Sequence, residues 1–305
     1  MVVALCGCTS TGARADDDIR LVVAAEVGTN ADLVARAIAP CLSERLDTGV
    51  TVASRPGEKG MTGTREFLAA DGPRLLIASM GPTVVAPTVV PDPGYRTDDF
   101  LFVGLVHSAP MVLFTAGNGP HDTAEALFAA ARAGDGPVEV ASTGSVMTEP
   151  FVVRELNVLR DTRLEHRLAG SDADVLREVT AGTSAAGLAT LSADLVDRIE
   201  AGEITVLAVG GEDPPGYLPD APPIHRVTED VTLLEHPVDT ALIAPDTVSD
   251  RLYLSLSAAL DACLDTVRDA VGADFVPDDP IGHGNLRTRY VRLDSSVRYA
   301  RDRDE

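Results

Sequence analysis

Four turns rich in glycine, serine and threonine are the parts of the sequence best suited to bind a small anion. Each is predicted to lie between a strand and a helix, where unpaired backbone N–H groups and the positive end of the helix dipole meet. One such turn is ordinary in an α/β protein, whereas four predict a cleft lined by hydrogen-bond donors without an obligatory cation. The turns are Gly28-Thr29-Asn30, Arg55 to Thr64, Ser142-Thr143-Gly144-Ser145 and Leu168-Ala169-Gly170-Ser171.

Other arrangements that support catalysis or metal binding are missing from the sequence. The six histidines form no H-x-x-x-H or H-E-x-x-H pair and have no neighbouring cysteine, so neither a metal site nor a cofactor is predicted. Ser145 does not lie in a G-x-S-x-G motif, which excludes a nucleophile elbow. His166 either borders the cleft or is an ordinary histidine at a strand end. No convergent acid–base pair is apparent, so no catalytic residue is assigned and an enzyme is the least favoured function.

The composition excludes two classes of partner. The formal net charge is −22, from 47 acidic and 25 basic residues, and nucleic-acid binding requires clustered basic residues. No apolar run reaches the ~18 residues that a membrane-spanning helix needs.

Lys59 is the only lysine, which fits either a GC-rich genome or a high-salt habitat. Its side chain either pairs with a ligand carboxylate or is an ordinary solvated turn lysine, and the second interpretation is favoured.

The first 18 residues are interpreted as the remnant of an export signal and a lipoprotein tether. Leu5-Cys6-Gly7-Cys8 is similar to a lipobox, in which Cys8 is lipidated and becomes the mature N-terminus. The alternatives are cleavage after Ala13-Arg14-Ala15 and a chance apolar start, because a basic segment is missing. The lipoprotein interpretation predicts an extracytoplasmic protein, in the periplasm or on the outer face of the cell membrane. The lipid anchor is then its only contact with the membrane.

Short β-rich runs alternate with helical patterns, which predicts an α/β fold with parallel strands. Helices are predicted to follow caps at residues 122–123, 171, 192 and 249, and the last continues to Val271. The segment after Val276 is either a final helix or a surface strand. Cys41 and Cys263 fall in predicted helices and are interpreted as buried free thiols rather than a disulfide. The predicted strands are Arg20–Ala24, Val50–Ala53, Leu75–Ala78, Phe102–Leu105, Val112–Thr115, Val138–Ala141, Ala186–Ala189, Thr205–Val209 and Thr240–Ala244.

Taken in order, these segments resemble the Bug family, the solute-binding proteins of tripartite tricarboxylate transporters. The family's opening strand, loop and D-x-x-A-R motif correspond to IRLVVAAEVGTNADLVAR, with Asp32, Ala35 and Arg36 in register. Its N-R-P-G-A-G-G and I-G-T motifs correspond to SRPGEKGMTGT, and its G-S-x-G-x-G-S segment corresponds to ASTGSV. DGPRLL, DFLFVG, AGTSAAGLATL, AGEITVLAV and PDAPPI match further family segments in the same order. The resemblance covers residues 19–276.

The resemblance implies a periplasmic-binding-protein fold, type II-like, with the ligand cleft between two α/β domains. Domain one comprises residues 19–117 and 236–305 and domain two residues 118–235, with hinges near Thr115–Gly119 and Glu235–Thr240. The implied function is the extracytoplasmic capture of a small di- or tricarboxylic, amino or aromatic acid for integral membrane transporter subunits. The alternative is a receptor of the same fold that signals through a membrane sensor. The residues expected to bind the ligand are Gly28, Thr29, Asn30, Asp32, Gly57, Gly60, Thr64, Ser142, Thr143, Gly144, Ser145, Ala169 and Gly170.

Two departures from the family pattern affect the expected ligand site. Residues 24–29 stand where the family has a proline, an aromatic residue and a Gly-Gly pair, so Thr29 and Asn30 add side-chain donors. Glu26 adds an acid there, which either points outward or indicates a ligand with a cationic group. In the second turn Glu58 and Lys59 replace small residues.

Overall fold

The computed structural model describes residues 18–134, 136–144, 147–211, 214–227, 233, 236–277 and 283–302. The lipidation expected at Cys8, and Ser145 of the third turn, lie outside these residues. Within them the chain builds two five-stranded sheets. No helix in this described part is long and apolar enough to cross a membrane.

The first sheet has the strand order β2-β1-β3-β10-β4. Strand β1 runs parallel to β2 and β3, whereas β10 is antiparallel to both of its neighbours. The expectation of parallel strands is therefore wrong for β10, because apolar periodicity carries no information on strand direction. The strands are β1 Ile19–Val23, β2 Val50–Ser54, β3 Arg74–Ser79, β4 Phe100–Ala109 and β10 Val238–Pro245.

The second sheet has the order β7-β6-β8-β5-β9 and repeats this mixed arrangement. Strand β6 runs parallel to β7 and β8, and β5 is antiparallel to β8 and β9. All nine predicted strands are present in the two sheets. Strand β7 is an edge strand with the polar sequence LEHRL, which the apolar pattern missed. The strands are β5 Met111–Ala116, β6 Val138–Ser142, β7 Leu164–Leu168, β8 Ala186–Thr190 and β9 Ile204–Val209.

Helices connect and cover the strands, and several begin at the predicted caps. The side chains of Thr123, Ser171, Ser192 and Ser249 each accept a backbone N–H of the first helical turn. The long helix predicted to end at Val271 is two helices, α9 and α10, and the C-terminal segment is a helix. The helices are α1 Asn30–Leu46, α2 Met61–Ala69, α3 Ala86–Val89, α4 Ala124–Ala133, α5 Glu149–Arg160, α6 Asp172–Thr180, α7 Ala193–Glu200, α8 Ile224–Val227, α9 Asp250–Asp261, α10 Leu264–Val271 and α11 His283–Asp302.

The first sheet is buried on both faces. Helices α1, α9 and α10 cover one face, where Ile38, Leu42 and Leu260 belong to one fully buried cluster. Helix α11 packs on β4 on the other face, and the ring centroids of Tyr290 and Phe102 are 4.8 Å apart. The helices therefore hold the first sheet rigidly enough to position the turns at its edge.

A disulfide joins Cys41 in α1 to Cys263 at the start of α10, and the two Cα atoms are 5.8 Å apart. The interpretation of both residues as free thiols is therefore wrong. The cysteines are 222 residues apart in sequence, but α1 and α10 pack against each other on the first sheet. Disulfides are typical of proteins that fold in oxidising compartments.

The chain passes from the first sheet to the second at Pro110, between β4 and β5. The expected boundary after residue 117 placed β5 in domain one, but β5 pairs with β8 and β9 in the second sheet. Because β5 is antiparallel to β8, it carries Thr115–Gly119 to the far end of the second sheet, so that segment is not the crossover. The return begins before Val238, and residues 234 and 235 lie outside the described part of the chain.

A buried carboxylate lies beside this crossover. Asp239 of β10 pairs with Ser108 of β4, and the Ser108 hydroxyl donates to Asp239 Oδ1 at 2.7 Å. Arg289 of α11 lies 3.0 Å from Asp239 Oδ2. Burial raises the pKa of Asp239 to about 6, although the Arg289 guanidinium opposes that rise. The last strand and the last helix are thus connected through one ion pair beside the crossover.

Candidate ligand-binding cleft

The four glycine-rich turns lie at the carboxyl ends of parallel strands and meet between the two sheets. They follow β1, β2, β6 and β7 and precede α1, α2, α5 and α6. A Cβ atom on Gly144 would lie 2.6 Å from Lys59 Nζ and 3.2 Å from Leu168 Cδ1, which brings the second, third and fourth turns together. A Cβ on Gly60 would lie 2.7 Å from the Ala24 carbonyl oxygen, next to the first turn. The structure therefore gathers all four turns at one cleft.

Helices α1, α2 and α5 begin at this cleft without a capping side chain. The hydroxyl of Thr29, the residue before α1, donates to the Glu26 carbonyl oxygen at 2.8 Å instead of accepting from the helix. By contrast Ser171 caps α6, where its Oγ accepts the Asp174 N–H at 3.2 Å. Uncapped helix N-termini offer N–H groups and positive dipole ends to an anion. At α2, however, the N–H groups of Met61 and Thr62 already donate to the carbonyl oxygens of Glu58 and Gly57. At α5 Pro150 has no N–H, and the Phe151 N–H donates to the Thr148 carbonyl oxygen. The start of α1 is therefore the helix end that best presents the donors expected of an anion site.

Asp32 stabilises the first turn through donors of the protein itself. Its carboxylate accepts the Arg36 Nε and Nη2 groups at 2.9 Å each, the Ser54 hydroxyl at 2.7 Å and the Gly28 N–H at 3.0 Å. The hydrogen bond from Arg36 is the main reason that the pKa of Asp32 falls to about 2. With these four donors and a side chain that is almost fully buried, Asp32 positions the turn rather than contacting a ligand.

The second turn depends on an unusual backbone. Gly57, Glu58, Lys59 and Gly60 all have positive φ, at 118°, 47°, 56° and 92°. Glu58 forms an ion pair with Arg65, which holds the turn against helix α2. Left-handed backbone at a non-glycine residue costs about 1 kcal/mol or more, and such strain concentrates at functional sites.

Thr64, expected to bind ligand, is turned into helix α2. It is fully buried, and its hydroxyl donates to the Gly60 carbonyl oxygen at 2.9 Å. Its hydrogen bond closes the second turn onto the helix. Thr64, like Asp32, therefore supports the cleft from below.

Ser142 connects the third turn to the fourth. Its Oγ accepts the Gly144 N–H at 3.2 Å and lies 2.7 Å from His166 Nε2, and its carbonyl oxygen accepts the Ala169 N–H at 2.9 Å. Ser142 itself is fully buried, so it lies beneath the surface of the cleft. Burial lowers the pKa of His166, and the positive charge of Lys59 lowers it further. His166 thus lies beside the third turn, in contact with Ser142, with a pKa below its usual value.

The remaining expected residues differ in exposure. Asn30, Thr143 and the backbone of Gly144 lie at the cleft edge, where Asn30 and Thr143 are half-buried and Gly144 is buried. Ala169 is buried and Gly170 is exposed at the start of the fourth turn.

Thr148 is a cleft residue that sequence reasoning missed. It directly precedes α5, it is almost fully buried, and its hydroxyl has no hydrogen-bond partner in the described part of the structure. A buried polar group without a partner is costly and rare in native proteins. In sequence Thr148 has the pattern of an ordinary helix cap before Glu149 and Pro150, so no local signal distinguishes it. The unsatisfied hydroxyl lies at the start of α5, close after the third turn.

The two larger surface concavities lie away from this cleft. A concavity of about 770 Å³ lies between residues 87–99 and α11, and another of about 710 Å³ lies near residues 115–121 and 179–185. Neither includes any residue expected to bind ligand. Among the described residues no group of three or more His, Cys, Asp or Glu is arranged to hold a metal ion. The cleft is therefore assigned as the candidate ligand site because the donor-rich turns converge there.

Comparison with known proteins agrees with the architecture. The profile of the tripartite tricarboxylate transporter family receptor matches residues 34–270. BugT of Bordetella pertussis is 29% identical over 210 residues, which cover 67% of this chain and 64% of BugT, slightly less than two thirds of that relative's length. The structure of the periplasmic binding protein BugD superposes with a TM-score of 0.76 at 19% identity, covering 93% of this chain and 97% of BugD.

A second solved structure, Rpa4515 of Rhodopseudomonas palustris with adipate, has a TM-score of 0.74 at 20% identity, over 93% of this chain and 95% of that one. At these identities the structural likeness establishes the fold, which is that of a two-domain periplasmic binding protein. The expected fold class is confirmed. Together with the profile match over most of the chain, the ordered motifs identify this protein as a member of the Bug family, the receptors of tripartite tricarboxylate transporters.

Proposed function

We propose that the protein is an extracytoplasmic receptor that captures a small carboxylate and delivers it to integral membrane subunits of a tripartite tricarboxylate-type transporter. The observation that carries this proposal is the convergence of donor-rich turns from both sheets on one cleft, where three helices begin without caps. Adipate bound to a protein of the same fold supports the carboxylate class.

Binding is proposed to couple to domain closure about the crossovers beside Pro110 and Val238. A carboxylate held by the first and second turns recruits the third and fourth turns, and closure then surrounds its charge with N–H donors. The net charge of −22 repels anions at long range, but salt screens that field beyond a Debye length of ~10 Å at 0.1 M. Local helix dipoles and hydrogen bonds therefore determine affinity.

The proposed location outside the cytoplasm is supported by the disulfide between α1 and α10. Lipidation at Cys8 remains part of the proposal, since that residue lies outside the described structure. The protein is proposed to act without a cofactor and without catalysis, because the donors of the cleft are suited to hold an anion and the sequence shows no convergent acid–base pair.

A ligand panel tests the proposal. The full chain is screened by thermal shift and calorimetry against adipate, citrate, glutamate and benzoate. A ligand present at one hundred times its dissociation constant stabilises the folded protein by ~2.7 kcal/mol. Binding of at least one carboxylate with a dissociation constant below the millimolar range is expected. A folded protein that binds none of the four contradicts the proposed function.

Replacement of Thr148 by valine tests whether the ligand occupies the cleft. Loss of a ligand hydrogen bond weakens binding by about 1 kcal/mol, or roughly fivefold. Folding stability should be unchanged or higher, because the removed hydroxyl has no partner in the described structure. Thr180→Val, at the end of α6 remote from the cleft, is the matched control and should leave affinity unchanged. Equal affinity of Thr148→Val and wild type would place the ligand elsewhere.

A further inference from the structure

Lys59 is the only lysine of the chain, and its ammonium lies where the two domains approach each other. It extends from the second turn of domain one to the backbone of Gly144 in domain two, where a Cβ would be 2.6 Å from Nζ. Gly144 has a φ of 62°, a backbone conformation that favours glycine. Two consecutive residues with left-handed backbone, Glu58 and Lys59, direct the side chain along this path.

The ammonium of Lys59 has no acidic partner in the described structure. Many arginines of the described chain pair with carboxylates, as Arg36 does with Asp32 and Arg65 with Glu58. Lys59 forms no such ion pair with any acidic residue that the structure describes. Its neighbours are the imidazole of His166, the backbone of Gly144 and the apolar side chain of Leu168. Lys59 is exposed, as expected for a solvated turn lysine, so both water and an incoming ligand reach its ammonium. A carboxylate bound in the cleft would replace that water with a charge-assisted hydrogen bond.

The surroundings of Lys59 also indicate what the rest of the ligand is like. Leu168 of the fourth turn is 63% exposed and Val27 of the first turn is 69% exposed, so apolar surface adjoins the cleft from both domains. Acidic residues, Glu26 and the buried Glu149, adjoin the first and third turns. A second carboxylate on the ligand would therefore meet negative charge or apolar surface.

The arginines next to the turns are already engaged. The Arg55 guanidinium binds Glu66, and that of Arg167 binds Glu178 and Glu139. Lys59 is thus the cation that is left to pair with a ligand at this place in the described structure. We infer that Lys59 selects the ligand by pairing with its carboxylate, and that this carboxylate is carried on an apolar body rather than beside a second acid.

This inference rests on the proposed function, and it is tested by binding of hexanoate, hexanamide and adipate to the full chain. Hexanoate and hexanamide have nearly the same shape and differ in charge. Wild type should bind hexanoate about tenfold to a hundredfold more tightly than hexanamide, and adipate no more tightly than hexanoate. Lys59→Met should bind hexanoate and hexanamide with equal affinity, whereas Lys59→Arg should retain the preference for hexanoate.

Two controls make the result specific. Arg45→Met removes an exposed cation at the opposite end of α1 and should leave the preference of wild type unchanged. Because Lys59 is the only lysine, an amine-reactive reagent followed by peptide mass spectrometry reports on its ε-amine directly. Hexanoate should slow modification of Lys59, and hexanamide should not.

The outcomes separate the two proposals. If carboxylates bind and Lys59→Met keeps the preference for hexanoate, or bound ligand does not protect Lys59, the inference fails while the receptor function stands. Tighter binding of adipate than of hexanoate refutes the single-carboxylate class. If no carboxylate in either panel binds, the proposed function itself fails.

Discussion

Removal of the Cys41–Cys263 disulfide should destabilise the first domain by about 5 kcal/mol and leave the second domain unaffected. Both cysteines lie on the helices that cover the first sheet, and the second sheet lies wholly within the loop that the disulfide closes. Reduction frees this loop in the unfolded state, so the cost of folding rises through chain entropy.

The magnitude follows from the size of the closed loop. If the second domain stays folded, it fixes about half of the chain within the sequence separation of 222, and the remaining loop of ~100 residues corresponds to ~4.7 kcal/mol. If the second domain unfolds too, the loop doubles in length, which adds only about 0.6 kcal/mol. The estimate is therefore close to 5 kcal/mol in either case, and measured native disulfides commonly contribute 2–5 kcal/mol.

Urea unfolding followed by circular dichroism measures this effect. The experiment starts from a variant with Cys6→Ser and Cys8→Ser, called the parent, so that the Cys41–Cys263 disulfide is the only one a reductant can act on. The transition of the first domain should shift to lower urea on reduction, while that of the second should stay in place. The Cys41→Ala, Cys263→Ala double variant should match the reduced parent and should not respond to reductant. Coincident curves for oxidised and reduced parent would refute the reasoning, as would an equal shift of both transitions.

Two further predictions concern buried groups. Asp239 releases its proton near pH 3.8 when unfolded but near pH 6 when folded, so its contribution to stability is complete below pH 3.8 and is lost as the pH rises through 6. Relative to Asp239→Asn, the free energy of unfolding of wild type should fall by about 3 kcal/mol over this pH range. Urea titration at each pH measures it, and parallel pH profiles of the two proteins would contradict the raised pKa of Asp239. A Cβ on Gly187 would lie 2.4 Å from Phe114 Cζ, so Gly187→Ala should lose about 1–3 kcal/mol in the same assay. Gly216→Ala, where a Cβ meets no atom within 4 Å, is its control, and equal stability of the two variants would show that the Phe114 ring moves freely.

Local features of the fold were predictable because their causes are local. A serine or threonine that caps a helix acts within three residues, so the helices after Thr123, Ser171, Ser192 and Ser249 could be recognised from the sequence. Nine strands were recognised as apolar runs, whereas β7 was not, because an edge strand buries little and Leu164 is its one buried residue. The break between α9 and α10 was invisible because the apolar stripe continues across it.

Features that depend on distant partners were not predictable in the same way. The direction of β10, the membership of β5 in the second sheet and the disulfide all depend on which elements meet in space. The turns of the cleft were located correctly in the chain, but the roles of their side chains depend on neighbours that folding supplies. Asp32 meets Arg36 and Ser54, and Thr148 meets no partner in the described structure.

The position of β10 has a consequence for how the chain acquires its structure. This strand, residues 238–245, lies between β3 and β4, so the first sheet has a gap at its centre until the C-terminal part of the chain has been made. The second domain is continuous from β5 to β9 and can complete its sheet earlier. During synthesis or translocation the facing edges of β3 and β4 are therefore unpaired, and such edges promote aggregation. The edges of β3 and β4 therefore stay open until β10 has been synthesised and pairs with both.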